Sequence, residues 1–535
     1  MSTEAAIGRR AVGRLWKQAL VVGLSFGGVA ASSAISYAST YPTVADRARV
    51  AAGLQGNAGF SVLFGQVDAL GSIGGYTAYK GFVFLTTIAA IWASLAVTRL
   101  LRGEEDAGRW AIVLAGRTTA SRATAGTMFG VAVALAGSLV VAVVLVALTA
   151  TDPKLGFGSV DAVWFGASLA IPAFVFAAAA GVAAQLARTR RLASWIVLGV
   201  FAVAFVVRMV ADAGTGSHWL LWATPLGWAE LVHPFTRNDP WPLVPAVIAT
   251  VALGGLAIWL ADRRDVGGGT LAMHDTSALR PFGLGSTLGL AVRLDRAVLA
   301  AWAVGVAASG FVMGLVAKAA TEGLTSSDSA GNMLSKLGAS GAGVDQYLGV
   351  VFLLVGSVLA LVPASQVAAA REEEASGRLA FVLAGPVGRS RWLTERLAIA
   401  AVAIVAIGAV SALGTWAGAA SQGIRVDVGS LFIAGLNIVP SALLALSLGA
   451  LALSVVPRAA AVVVYVVVIW SIAIDLLGSL VTGLGPLTRL SLFHYMTLAP
   501  AQDPDLVALA VITVLALTVA AGAVALFARR DLRTD

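Results

Sequence analysis

The sequence predicts an all-α, polytopic membrane protein of about twelve transmembrane helices, arranged as two parallel six-helix repeats. Three observations carry that expectation. The 535 residues are 59% hydrophobic and 12% charged, with a mean hydropathy of +0.88. Soluble domains carry about 25% charged residues, so this chain lacks the polar surface to keep a particle of its size in water. Apolar runs of about 20 residues, the length needed to cross the hydrocarbon core, recur along the whole chain. Finally, a stretch near position 108 returns near position 377, half a chain later.

The first set of runs is 18–39, 82–101, 123–150, 163–187, 192–211 and 242–261. The second is 297–317, 347–368, 397–420, 431–456, 459–480 and 506–528. The weakest divisions are at Arg188-Thr189-Arg190-Arg191 and at its counterpart, Pro457-Arg458. The 59 glycines suit close helix packing in a bilayer. The first run has a basic start and small residues at Ala31–Ala34, as a cleaved signal peptide does. Its length and its equivalent in the second half favour a retained span. The expected divisions are a first six-span half at 1–265, a joining segment at 266–296 and a second half at 297–535. Gly267-Gly268-Gly269 reads as a flexible linker. Ile7–Lys17 and Phe282–Arg296 are mildly amphipathic and read as helices lying under the membrane, or as plain basic flanks.

Basic residues set the direction. With the N-terminus in the cytoplasm, roughly 26 of the 36 Lys and Arg fall on the inner side, including Arg9-Arg10, Arg263-Arg264 and Arg529-Arg530. The expectation is a multi-pass protein of the cell membrane with both termini cytoplasmic. The net charge of +8 is then a property of inner loops contacting lipid, and no nucleic-acid partner is implied. There is no cysteine, which excludes thiol catalysis, disulfides and thiolate metal sites. The four histidines are scattered, with none at ligand spacing, so no metal is expected.

The repeat is the most informative local feature. Arg102–Gly116 aligns without gaps to Arg371–Gly385, an offset of 269 (377 − 108). Ser121-Arg122 against Ser390-Arg391 extends it, and Arg263-Arg264-Asp265 against Arg529-Arg530-Asp531 closes each half. Each copy joins the second and third spans of its half. It carries carboxylates (Glu104, Glu105, Asp106; Glu372, Glu373, Glu374), then Gly108-Arg109 or Gly377-Arg378, then an apolar patch. A purely solvated loop does not need that patch. Acids at the start of a short amphipathic helix favour its dipole. The arrangement suggests an acidic tip and an apolar ridge offered twice to a two-fold partner. The plainer alternative is a charged loop that caps helix ends.

The run Glu373-Glu374-Ala-Ser-Gly377-Arg378-Leu-Ala-Phe-Val-Leu383-Ala-Gly-Pro386 resembles the loop motif of type-2 ABC exporter permeases. The duplicated form, with Leu100–Trp110 and the terminal Arg-Arg-Asp, is similar to actinobacterial permeases identified as exporters of polyketide antibiotics of the tetronasin type. The resemblance implies that the two loops form coupling helices docking on two copies of a separate ABC ATPase. ATP and Mg would then be bound by that partner and no cofactor by this chain. Hydrophobic compounds of antibiotic or drug-like character would be exported. The first copy departs from the pattern, with Gly103 in place of Glu372 and Arg117 in place of Pro386, which puts equal docking in doubt. No Walker A loop surrounds any of the five lysines, so the chain is not expected to hydrolyse ATP itself.

Ionisable groups within spans are functional candidates. Arg208 and Asp475 stand at pseudo-equivalent places and suggest a cross-half pair or a substrate contact; alternatively, Arg208 reaches Asp212 one turn on. Gln185 suggests a bond to a neighbouring helix. Phe84, Trp92, Phe205, Phe352 and Trp470 are candidate lining for a substrate path, against the plainer reading of lipid contact or packing. A secondary, ion-coupled transporter with two six-span halves is the alternative function. That class calls for several carboxylates within spans, and Asp475 is the clear one. A membrane-embedded enzyme lacks convergent catalytic groups.

Overall fold

The computed structural model describes residues 3–54, 61, 64, 65, 69–212, 215–269, 285–325, 343–478 and 488–532. Among them the chain is helical, with no strand. It separates into two compact units, Met1–Thr276 and Ser277–Asp535, and the division falls within the segment expected to join the halves. Among the described residues eleven helical stretches are long and apolar enough to cross a membrane, Val344–Ala375 and Val428–Val455 each counted as one. The chain is therefore an all-α polytopic membrane protein. At the place of the remaining expected span the one-turn helix Pro457–Ala459 runs into the helix Ala460–Gly478, and the apolar helical stretch there, Pro457–Ile472, is shorter than the others.

In the first unit the main helices are α1 (Thr3–Thr40), α2 (Val44–Leu54) and α3 (Ile73–Leu100). Two short helices follow, α4 (Arg102–Asp106) and α5 (Arg109–Leu114). After them come α6 (Ala120–Thr149), α7 (Ser159–Leu186), α8 (Arg190–Asp212), α9 (Pro225–Leu231) and α10 (Leu243–Ala261). The long α1 corrects one expectation. Ile7–Lys17 is not a separate helix under the membrane but the first turns of one continuous 38-residue helix. Nothing between Lys17 and Gln18 breaks the pattern, and 38 residues reach about 57 Å, well beyond the hydrocarbon core. The basic turns thus project from the span.

α1 lies along α6 at close range. A Cβ on Gly27 would meet the Ala142 carbonyl oxygen at 2.9 Å. α3 and α7 form the centre, with the Phe82 and Phe165 rings 6.5 Å apart. At the far end of the spans from α4 and α5, Tyr37 stacks on Tyr76 at 3.8 Å, and Phe235 meets Phe157 and Phe165.

The second unit holds α11 (Thr287–Thr325), α12 (Val344–Leu359), α13 (Val362–Ala375) and the short α14 (Arg378–Leu383). α15 (Arg389–Ser421), α16 (Val428–Asn437), α17 (Val439–Val455), α18 (Ala460–Gly478) and α19 (Leu506–Arg529) complete it. α11 lies along α15 as α1 lies along α6: a Cβ on Gly310 would meet the Ser411 carbonyl oxygen at 2.7 Å. Ser411 stands 269 residues after Ala142 (411 − 142), so the same rung of the repeat recurs. Two expected spans are interrupted in this unit. Residues 347–368 break at Ala360-Leu361, before Pro363, and 431–456 break at Ile438, before Pro440. Each proline sits in the first turn of the new helix, where it has no N–H to lose. The expected run Phe282–Arg296 begins outside the described residues; from Thr287 it is continuous with the span, as in the first unit.

Candidate docking site

The repeated motif folds the same way in both units. A helix carries the carboxylates, a glycine turns the corner, and a helix of six residues follows. Gly108 and Gly377 have φ of +70° and +74°, the left-handed region that costs other L-residues roughly 1–2 kcal/mol. The corner sends α5 and α14 off the ends of the preceding helices. On their inner side Trp110 and Leu379, at matching positions, are buried. On their outer side Ile112 and Phe381, again matched, are 77% and 84% exposed. Val113, Leu114, Val382 and Leu383 pack partly against the core of their own unit. Each unit therefore presents one large apolar side chain on a rigid stub.

Four of the six carboxylates do not form the expected acidic tip. Glu104, Glu105, Glu373 and Glu374 are buried. A buried carboxylate is tolerated only when paired and hydrogen-bonded, and here each is. Arg264, just beyond α10, holds Glu105 with two bonds of 2.6 Å. Arg530, just beyond α19, holds Glu374 with bonds of 2.7 and 2.6 Å. This forked geometry is the strong form of the pair. Arg102 and Arg371 add matched contacts to the same carboxylates at 3.1 and 3.5 Å. The end of the last long helix of each unit is thus clamped to the corner that launches the exposed stub.

The first clamp also fixes the start of the joining segment. The Gly267 N–H donates to Glu105 at 2.6 Å, and the Gly268 carbonyl accepts from Arg102 at 2.8 Å. Gly267-Gly268-Gly269 is therefore not a free linker: its first two residues are hydrogen-bonded and a Cβ on Gly269 would meet the Leu186 carbonyl at 2.6 Å. Gln185 accepts from Arg264 at 2.6 Å, so this bond goes to the segment just beyond α10 and not to a neighbouring helix itself.

Around the second pair of acids the units differ. Glu104 accepts two bonds from Arg109, of 2.8 and 2.7 Å, and also meets Arg14 and Arg10 from α1. Glu104 in turn holds the Arg109 guanidinium above its ordinary pKa, through the hydrogen bonds and then through charge. Glu373 pairs with Arg396, and Arg396 also pairs with Asp295 on α11. One carboxylate sits among three guanidiniums in the first unit; one guanidinium sits between two carboxylates in the second. Asp106 accepts from the Arg190 N–H at 2.7 Å, capping α8, while Asp106, Glu372, Arg109 and Arg378 face outward.

The other candidates are described within their own units. Arg208 forms a local buried cluster: its Nε donates to Asp212 at 2.7 Å and lies 3.3 Å from Glu230. Glu230 was missed because it lies on the short helix α9, outside any span. Phe205 sits beneath the Arg208 guanidinium at 5.7 Å. Phe352 is buried in the core of its unit. Phe84 and Trp470 are exposed, and Trp92 is half-buried. The side chain of Asp475 lies outside the described residues, so no pair with Arg208 is in view.

Residues 284–528 match the family described as multidrug efflux system permease Rv1217c, C-terminal domain. The chain is similar to a multidrug efflux permease. Over 370 residues it is 32% identical to the multidrug efflux system permease protein Rv1217c of Mycobacterium tuberculosis (strain ATCC 25618 / H37Rv). That alignment covers 68% of this chain and 65% of the relative's length. The family match contains the α13–α14 corner, Arg396 and the exposed Phe381.

Proposed function

We propose that the chain is the membrane permease of an ABC-type efflux system, moving hydrophobic compounds out of the cell. It crosses the membrane twelve times with both termini cytoplasmic. A separate ATPase, bound in two copies, hydrolyses Mg-ATP. The observation that carries this reading is the pair of matched stubs. Ile112 and Phe381 are large apolar side chains held outward on short helices whose bases are clamped by buried ion pairs. A side chain of that size gains about 1.5–3 kcal/mol on full burial, which suits a partner's groove. Rigid attachment lets a partner's movement reach the span ends, since the clamp joins the stub to the last helix of its unit. The efflux permease similar to this chain supports the transport role. In this reading the buried acids act on the partner indirectly, by fixing the stub.

Affinity purification of the full chain from its own membranes tests the assignment. A nucleotide-hydrolysing subunit co-purifies with the unaltered chain, and an Ile112→Asp, Phe381→Asp double variant of normal abundance loses it. Equal recovery with both chains contradicts docking through the stubs.

A further inference from the structure

A cleft of about 390 Å³ opens beside α4 in the first unit, lined by Arg14, Arg99, Leu100, Gly103, Glu104, Arg109 and Arg190. A liquid water occupies about 30 Å³, so the space holds a tetrahedral anion with several waters. Its charge is unbalanced: four guanidiniums face one carboxylate. Glu104 is already engaged by Arg14 and by both bonds from Arg109. Arg99 reaches the neutral Gln18 at 3.3 Å, and no carboxylate pairs with the guanidinium of Arg99 or Arg190 among the described residues. Cations gathered in one cleft repel one another unless an anion joins them.

The position selects the anion. Arg99 ends α3, Arg190 begins α8, and Arg14 lies four residues before the apolar run of α1 begins at Gln18. All three mark the boundary between a span and the polar region outside it. On α1, Val21 stands seven residues after Arg14, on the same helix face, and is exposed. Acyl chains have an apolar surface on the face of α1 that carries Arg14, and a headgroup at the level of Arg14 meets the arginines. At two of the matched places the second unit differs: Ala368 replaces Arg99 and Glu372 replaces Gly103.

We propose that the cleft formed by Arg14, Arg99, Arg109 and Arg190 beside Glu104 binds the phosphate of an anionic phospholipid. The lipid fills the first unit only and ties α1, α3 and α8 together beneath the stub.

Native mass spectrometry of the delipidated full chain, offered equal phosphatidylglycerol and phosphatidylcholine, tests this. The unaltered chain retains phosphatidylglycerol in preference, and R99Q/R190Q lowers that preference about tenfold or more, from two cationic contacts of about 1 kcal/mol each. Arg190 is exposed, so R190Q alone leaves the fold intact and gives a smaller drop in the same direction. Equal preference in R190Q, R99Q/R190Q and the unaltered chain overturns the site. Displacement of the lipid by inorganic phosphate alone overturns the lipid as its source. A chain with no lipid preference at all overturns both, and leaves the cleft to an acidic protein side chain.

Discussion

The two units share a clamp and differ in what surrounds it. Glu105–Arg264 and Glu374–Arg530 are the same forked pair, made between the same elements at nearly the same distances. One residue away the likeness ends. Glu104 is held by Arg10, Arg14 and Arg109, whereas Glu373 shares Arg396 with Asp295. The duplicated part is the forked pair at the corner, and the charge beside it differs. Two partners of one kind would therefore meet equivalent stubs set in unlike electrostatic surroundings.

The largest predicted effect breaks the second unit's version. Arg396→Ala strands Glu373 and Asp295 together in a buried site, and loss of one partner from a buried pair costs about 3–5 kcal/mol. Arg14→Ala leaves Arg10 and Arg109 on Glu104, and both Arg10 and Arg14 are substantially exposed, so the loss stays at or below about 1 kcal/mol. Thermal unfolding in one detergent compares the two variants. Equal losses would show that the neighbourhoods are equivalent after all. A smaller effect sharpens the likeness instead. Gly108→Ala and Gly377→Ala each force a Cβ into the left-handed region, for about 1–2 kcal/mol. Proteolysis at the corner should rise to a similar degree in both. A rise confined to one variant would separate the two corners.

Much of this was legible in the residues. The apolar runs give the long helices, and the gapless match locates both corners. The two repeated anchors, acidic loop and terminal Arg-Arg-Asp, turn out to be partners of each other. That pairing was hidden because about 160 residues separate Glu105 from Arg264, beyond the reach of any local pattern. For the same reason the acids read as an outward tip: a loop's charge pattern does not show which distant helix end returns to cover it. The exposed apolar side chains were recognised as a patch, but which of its members point outward depends on the corner geometry. Arg190 reads only as part of a break between two spans, and Arg99 as an ordinary basic helix end, until α3 and α8 bring them together. The broken spans at Ala360 and Ile438 were signalled by Pro363 and Pro440, which continuous hydrophobicity outweighed.

The central claim is that both stubs dock on the same separate ATPase. The absence of cysteine makes Ile112→Cys and Phe381→Cys single, addressable thiols. Crosslinking each variant in intact membranes measures the contact directly. Both positions are expected to capture one and the same nucleotide-hydrolysing subunit. Continued efflux with neither position capturing it would contradict the account.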